Sequence, residues 1–270
     1  RALFRSLSDE IYPWSVIEEV SEATRKTAAE LSEVQWFNQA LNWSFDDLNA
    51  EQIILQRRSA VAFDGKTFMS KDAFFSMLDR TLPRVDHTPF DLNLGLQRVN
   101  LLLFVHRVTG LEPGLYFLLR NEGHLQELKS LAHLQLEWIK VDTGCNLPLF
   151  RLLPGDLKME ATLLSCQQDI AGMSCFSLGM IARFRDELNL KPWIYRQLYW
   201  ETGMIGQLLY LEAEAHGLRS TGIGCFFDDL AHQILGLSGN EYQSLYHFTV
   251  GMPIEDQRLT QLDAYHHLEL

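Results

Sequence analysis

The chain has 270 residues, 47% hydrophobic and 21% charged, and its 23 Lys and Arg against 35 Asp and Glu leave a formal net charge of −12. Folding a chain of this length buries roughly three quarters of its unfolded surface, enough for one large core or two modest ones. So acidic a balance leaves no broad positive surface for nucleic acid or anionic membrane, and any bound phosphate must be gripped by a local group of arginines. The longest apolar runs, such as Leu101 to Val105, fall far short of the ~20 residues of a membrane span, and no secretory signal is visible. Cys145, Cys166, Cys175 and Cys225 follow no metal or redox spacing and read as buried, reduced thiols, so no metal site is expected and a cytoplasmic location is.

In chain order, Ser15 to Val34 reads as an amphipathic helix, with Val16, Val20, Ala23 and Ala28 among its apolar positions. A short helix follows over Asn49 to Gln56. Ser70 caps a third, through Phe74, Phe75, Met77 and Leu78, which ends before Pro83. Arg98 to Val108 and Leu115 to Arg120 are dense apolar runs of strand length. The turn at 110–114 joins them so closely that an antiparallel pair is the simplest reading. Cys175 to Phe184 is read as a further strand. Tyr195 to His216 is the clearest helix, with Pro192 before it and Gly217 after it. Its Gly203 and Gly206 suit either plain packing or the close approach of a flat ligand. A Gly-rich segment, Ser220 to Phe227, a short helix from Asp228 and a strand at Leu245 to Val250 complete the chain. Without regular β-α-β alternation the class is α+β, with residues 1–48 a helical extension and 49–270 one domain.

Two segments could carry chemistry. Arg57, Arg58 and Ser59 can grip a phosphate, because guanidinium offers a planar fork of donors and the hydroxyl adds one more; a solvated helix end is the plainer alternative. Alternate glycines in Ser220-Thr221-Gly222-Ile223-Gly224 let a backbone approach a flat or phosphorylated ligand, although a tight turn would use them equally. Walker A, GxGxxG, nucleophile-elbow and zinc-helix patterns are all missing. Glu201, Glu212 and Glu214 on the long helix read as its solvated face.

Taken together, QRRSAVAFDG at 56–65, SKDAFFSML at 70–78, GLEPGLYFLLR at 110–120, the stretch 195–229 and LYHFTVGMPIEDQRL at 245–259 resemble the nitroreductase-like flavoproteins, in particular the SagB/ThcOx-type dehydrogenases. The resemblance implies a mostly antiparallel central sheet flanked by helices, an intertwined homodimer and non-covalent FMN. It also implies a C-terminal half of a tandem protein, whose partner domain would otherwise complete the site. By position in these motifs, Arg57, Ser59 and the adjacent Arg58 would hold the flavin phosphate and ribityl end, with Arg258 completing the phosphate site. Gly222 and Gly224 would lie against the isoalloxazine ring, with a backbone N–H near Gly224 bonding N5, and Gln207 would line the same cavity. Val61 stands where relatives carry a second basic residue, Leu208 where they often carry Asn, and a Lys-Tyr pair is absent near Lys191. The implied activity is hydride transfer through flavin N5 from NADH, NADPH or an organic donor to a small-molecule or peptide substrate. A non-catalytic scaffold or dimerisation domain is the alternative, and a flavin-storage protein a third.

Overall fold

Val99 to Val105 carries one polar side chain, Asn100, among six apolar ones, the pattern of a strand covered on both faces. In the computed structural model, which describes residues 12–26, 36–37, 49–92 and 97–268, this segment is β1, the middle strand of a seven-stranded sheet. The other strands are β2 (Gly114–Leu118), β3 (Ile139–Lys140), β4 (Leu149–Pro154), β5 (Phe176–Arg183), β6 (Arg219–Ile223) and β7 (Tyr242–Gly251). Their spatial order is β3-β4-β2-β1-β5-β7-β6, and every neighbouring pair is antiparallel. The hairpin expected across residues 110–114 is present, with Leu103 opposite Tyr116.

Nine α-helices accompany the sheet among the described residues: α1 (Ser15–Ala23), α2 (Ala50–Gln56), α3 (Lys71–Arg80), α4 (Leu125–Leu131), α5 (Lys158–Leu164), α6 (Asp169–Met173), α7 (Arg185–Leu190), α8 (Ile194–Ala215) and α9 (Asp228–Leu235). Side chains alternate across a strand, so β1 feeds two cores at once. Val99, Leu101, Leu103 and Val105 join the apolar sides of α3 and α8 on one face of the sheet. Leu102 and Phe104 join α4, α5, α6 and α9 on the other. The result is the expected α+β architecture, a sheet between two helical layers. No helix among the described residues is long and apolar enough to cross a membrane.

Local signals place the helices. The Asn49 side chain accepts from the backbone N–H of Glu51 and Gln52, and Ser70 Oγ accepts from Ala73 N–H at 3.1 Å. Beyond the end of α8, Gly217 takes φ 68°, the left-handed turn that favours glycine. α1 is shorter than the expected helix, and the continuation to Val34, with Ala28, lies outside the described residues. Its last turn is fastened to α8, where Arg196 Nε donates to Thr24 Oγ1 at 2.8 Å.

Three expectations are corrected. Glu201 and Glu212 are buried rather than solvated. Glu201 pairs with Arg120, itself buried, and accepts from the backbone N–H of Arg98 at 3.1 Å; Glu212 pairs with Arg80 at 3.2 Å. α8 is covered by the sheet on one side and by α2, α3 and α7 around it, so a polar stripe on it need not face water. The run Ser220-Thr221-Gly222-Ile223-Gly224 is not a turn; its first four residues belong to the edge strand β6. Finally, Cys166 and Cys225 form a disulfide, their Cα atoms 5.7 Å apart across 59 residues of sequence. Spacing along the chain cannot reveal a pair that the fold brings together. Cys145 and Cys175 remain free thiols, and burial raises the Cys175 thiol to about 11.

Candidate functional site

β6 is an edge strand, and its free side is filled by the segment that leaves α2. Arg57 caps that helix, and the chain then runs beside β6, with Ser59 opposite Ser220. Ala60 N–H donates to Ser220 O at 3.0 Å, and Thr221 Oγ1 donates to Ala60 O at 2.6 Å. Further on, Asp64 N–H donates to Met252 O and Ile254 N–H to Ala62 O, each at 3.0 Å. The Arg-Arg-Ser motif and the Ser-Thr-Gly-Ile-Gly motif, far apart in sequence, are thus laced together by backbone pairing.

A cavity of about 290 Å³ opens at this seam, bordered by Arg58, Ser59, Val61, Arg219, Glu255 and Asp256 among others. Arg58 is the arginine of the motif that borders it. Its Nη1 donates to the carbonyls of Leu55 and Arg57 at 2.9 Å and its Nη2 to Leu262 O at 3.0 Å. Its backbone N–H is held by Glu214 Oε1 at 3.2 Å. Arg219 faces the same space and pairs with Glu255 at 2.6 Å and Glu214 at 3.7 Å. A second cavity of about 690 Å³ shares Arg58 and Arg219 and extends along α2 to residues 261–264.

Tyr210 on α8 ties the two motifs together. Its hydroxyl lies 2.9 Å from Ser59 Oγ and accepts from the Gly222 N–H at 2.8 Å. Arg57 lays its guanidinium over the same ring, 4.7 Å from the ring centre, so it does not border the 290 Å³ cavity. Beside them Ser220 has a buried hydroxyl with no hydrogen-bond partner, an orphan that a ligand polar group could satisfy.

The glycines divide by role. A side chain at Gly222 would strike the Tyr246 hydroxyl, so glycine here is demanded by internal packing. Nothing lies within 4 Å of where a side chain at Gly224 would begin, and the residue is exposed, so its backbone is open to a flat ligand. Gly206 is buried against Tyr246 and Phe248, the plain-packing role, whereas Gly203 faces open space. Gln207 is exposed on α8 and does not border the seam cavity. Arg258 is also outside the lining: it is 88% exposed and turned onto Asp256 at 2.6 Å. That contact raises the guanidinium and lowers the carboxyl from their ordinary values.

The residues present fit a ligand with an anionic phosphate end and a flat ring. Arg58, Ser59 and Arg219 all border the 290 Å³ cavity, and an uncovered glycine backbone continues from β6. Two features work against tight phosphate binding. Glu255 and Asp256 share the cavity wall and already draw on Arg219 and Arg258. Val61, 71% exposed, offers no cation. Tyr210 and Arg219 were not singled out from the sequence. Tyr210 reads as one more apolar position of α8, while Arg219 could have been found from its place directly before the Ser-Thr-Gly-Ile-Gly run. Among the described residues no group of three or more His, Cys, Asp or Glu could hold a metal ion.

The nitroreductase family model matches residues 171–252, which hold β5, α8, β6, α9 and β7. In three dimensions the chain is similar to a candidate nitroreductase from Anabaena variabilis, with TM-score 0.65 and 21% identity over 92% of this chain and 49% of that one. The fold is nitroreductase-like. The same nitroreductase-like fold relates the chain to a candidate nitroreductase from Ralstonia eutropha, with TM-score 0.53 and 13% identity over 84% of this chain and 90% of that one. It is also similar to a chain of the E. coli microcin synthetase McbBCD complex with truncated pro-MccB17 bound, with TM-score 0.54 and 15% identity over 94% and 85% of the two chains. This chain spans about half the length of the Anabaena protein. No curated protein sequence matches it.

Proposed function

We propose that this chain is an FMN-dependent oxidoreductase of the nitroreductase and SagB-type dehydrogenase kind. The observation that carries the reading is the seam between residues 57–64 and β6. It sets Arg58, Ser59 and Arg219 around one cavity and leaves the backbone at Gly224 uncovered where the strand ends. When bound, FMN supplies a two-electron hydride acceptor at N5. Arg58 and Ser59 would hold the phosphate and ribityl end, with Arg219 beside them. Tyr210 keeps Ser59 in place, and the Gly224 backbone would donate towards N5 and fix the ring. The electron donor is a reduced nicotinamide, NADH or NADPH, and the substrate a small molecule or a peptide. The peptide option draws on the likeness to the microcin synthetase chain. The site is completed by a second copy or by a further domain of a longer protein.

The test is a visible spectrum of the purified protein after loading with FMN and removal of excess by gel filtration. Retained bands near roughly 370 and 450 nm, those of bound flavin, are expected. Their loss in Arg58→Ala together with Ser59→Ala would assign the holding residues. The second reading is a non-catalytic scaffold, favoured by Val61 and by the carboxylates in the phosphate corner. A folded dimer that stays colourless with excess FMN would support it, whereas a colourless monomer would mean that the other half of the site is needed.

A further inference from the structure

The Cys166–Cys225 disulfide stands at the end of the strand assigned above to the flavin ring. Cys225 directly follows Gly224, and it is exposed. Cys166 sits in the turn between α5 and α6, where it and Gln167 take φ 53° and 60°. Non-glycine residues rarely adopt that left-handed region, and two in succession mark a strained turn. The turn is also tied to the β6–α9 connection by hydrogen bonds. Gln168 Nε2 donates to Cys225 O at 3.3 Å and to Ser165 O at 2.9 Å, and Phe227 N–H donates to Leu164 O at 2.8 Å.

This turn also meets the segment that follows the Arg-Arg-Ser motif. Gln168 and Asp169 border a cavity of about 280 Å³ together with Val61, Ala62 and Phe63, the segment that continues the Arg-Arg-Ser motif. The disulfide therefore joins two walls: the turn at 166–168, whose Gln168 borders this cavity, and the strand end assigned to the ring. Buried structural disulfides resist reduction, whereas exposed bonds held in strained turns are the labile and catalytic ones. The two remaining cysteines fit no such role: Cys175 is buried with its thiol raised, and Cys145 is free.

We infer that Cys166–Cys225 is a second redox centre of this protein, exchanging an electron pair with the flavin bound beside Gly224 and, through Cys225, the exposed residue of the pair, with an external thiol or disulfide substrate. The inference rests on the FMN reading. In the reducing direction the S–S bond breaks and both sulfurs become S–H. The electron pair comes from reduced FMN, which returns to the oxidised form, and the two protons come from the flavin and solvent. An external disulfide then reoxidises the pair through a mixed disulfide at Cys225, releasing two substrate thiols. Run backwards, the same steps oxidise a substrate dithiol and reduce FMN. The hydrogen bonds of Gln168 and Phe227 keep the two walls together while the S–S bond is open.

The test uses FMN-loaded, gel-filtered protein under anaerobic conditions, with the bound flavin reduced by light and EDTA as sacrificial donor. The protein is then denatured in alkylating agent, and its free thiols are counted by mass. The two thiols of Cys145 and Cys175 are expected to become four. Reoxidation should consume about four electrons per flavin, twice what flavin alone stores. Cys166→Ser should bind FMN and give about two electrons. Bleached flavin with the thiol count still at two would overturn the inference and leave the FMN reading standing. Four thiols in illuminated protein stripped of FMN would also overturn it, since flavin would not be the donor. A folded protein that retains no FMN would overturn both.

Discussion

Replacing Glu201 tests whether the centre of the molecule is built as described. Its carboxylate and the Arg120 guanidinium are 1% and 0% exposed. Arg120 Nε donates to Thr81 O at 2.7 Å and Nη1 to Val99 O at 3.0 Å, while Glu201 also receives the backbone N–H of Arg98 and Val99. Glu201→Ala removes the counter-charge, strips two backbone donors of their acceptor and leaves a guanidinium in the core. Breaking a buried pair from one side costs about 3–5 kcal/mol, lowering the melting temperature of a domain this size by about 10 °C. Urea unfolding followed by tryptophan fluorescence measures the loss. The desolvation argument makes a second demand. Arg120→Met with Glu201→Leu removes both charges, and the double variant should recover most of the stability of the original protein. A loss below about 1 kcal/mol in Glu201→Ala, or a double variant no better than the single one, would refute this account.

Burial lowers His106 and His124 to about 4 and His247 to about 3, so these imidazoles stay neutral in the folded protein but gain protons when unfolded below about pH 6.5. Stability should fall as the pH is lowered from 6.5 towards 4, measured by urea unfolding at a series of pH values. Burial raises Glu212 to about 7, which has the opposite sign: its contribution is present at acid pH and lost as the pH rises through that value, so Glu212→Gln should steepen the acid loss. Gly222→Ala should cost about 1–3 kcal/mol by forcing the Tyr246 hydroxyl aside, with part of the loss recovered in Tyr246→Phe, as thermal melts would show. Glu255→Gln with Asp256→Asn should tighten FMN several-fold by freeing Arg219 and Arg258, yet leave riboflavin binding unchanged in a fluorescence titration. Val61→Arg should make the potential of bound FMN more positive by about 30 mV, roughly 1.4 kcal/mol, in a dye-coupled titration.

Much of the fold was legible because its signals are local. The Ser70 cap, the dense run from Val99, the short turn before Leu115 and the long helix from Tyr195 each announce themselves within a few residues. The site was legible only as pieces. That Ser59 pairs with Ser220 follows from strand order, and no local pattern states strand order. For the same reason Arg58 rather than Arg57 borders the seam cavity: Tyr210, 153 positions along the chain from Arg57, captures the first guanidinium. The buried glutamates were misread because charge on a helix normally marks its wet side, and only the arrival of Arg120, two residues past the end of β2, offsets the burial of Glu201. The disulfide was hidden by the same gap between sequence spacing and spatial distance.

The lacing of residues 59–64 to β6 and to 252–254 also sets when the seam cavity can exist. Its contacts join positions 161 residues apart, as between Thr221 and Ala60, and up to 192 apart, as between Ile254 and Ala62, so they close some of the longest loops in the chain. Such contacts carry the greatest entropic cost and form late in folding, after the local hairpin and helices are in place. A ligand seated there grips the molecule at the stitch that completes it. Each tenfold excess over its dissociation constant would then add about 1.4 kcal/mol to the stability of the whole domain rather than of one loop.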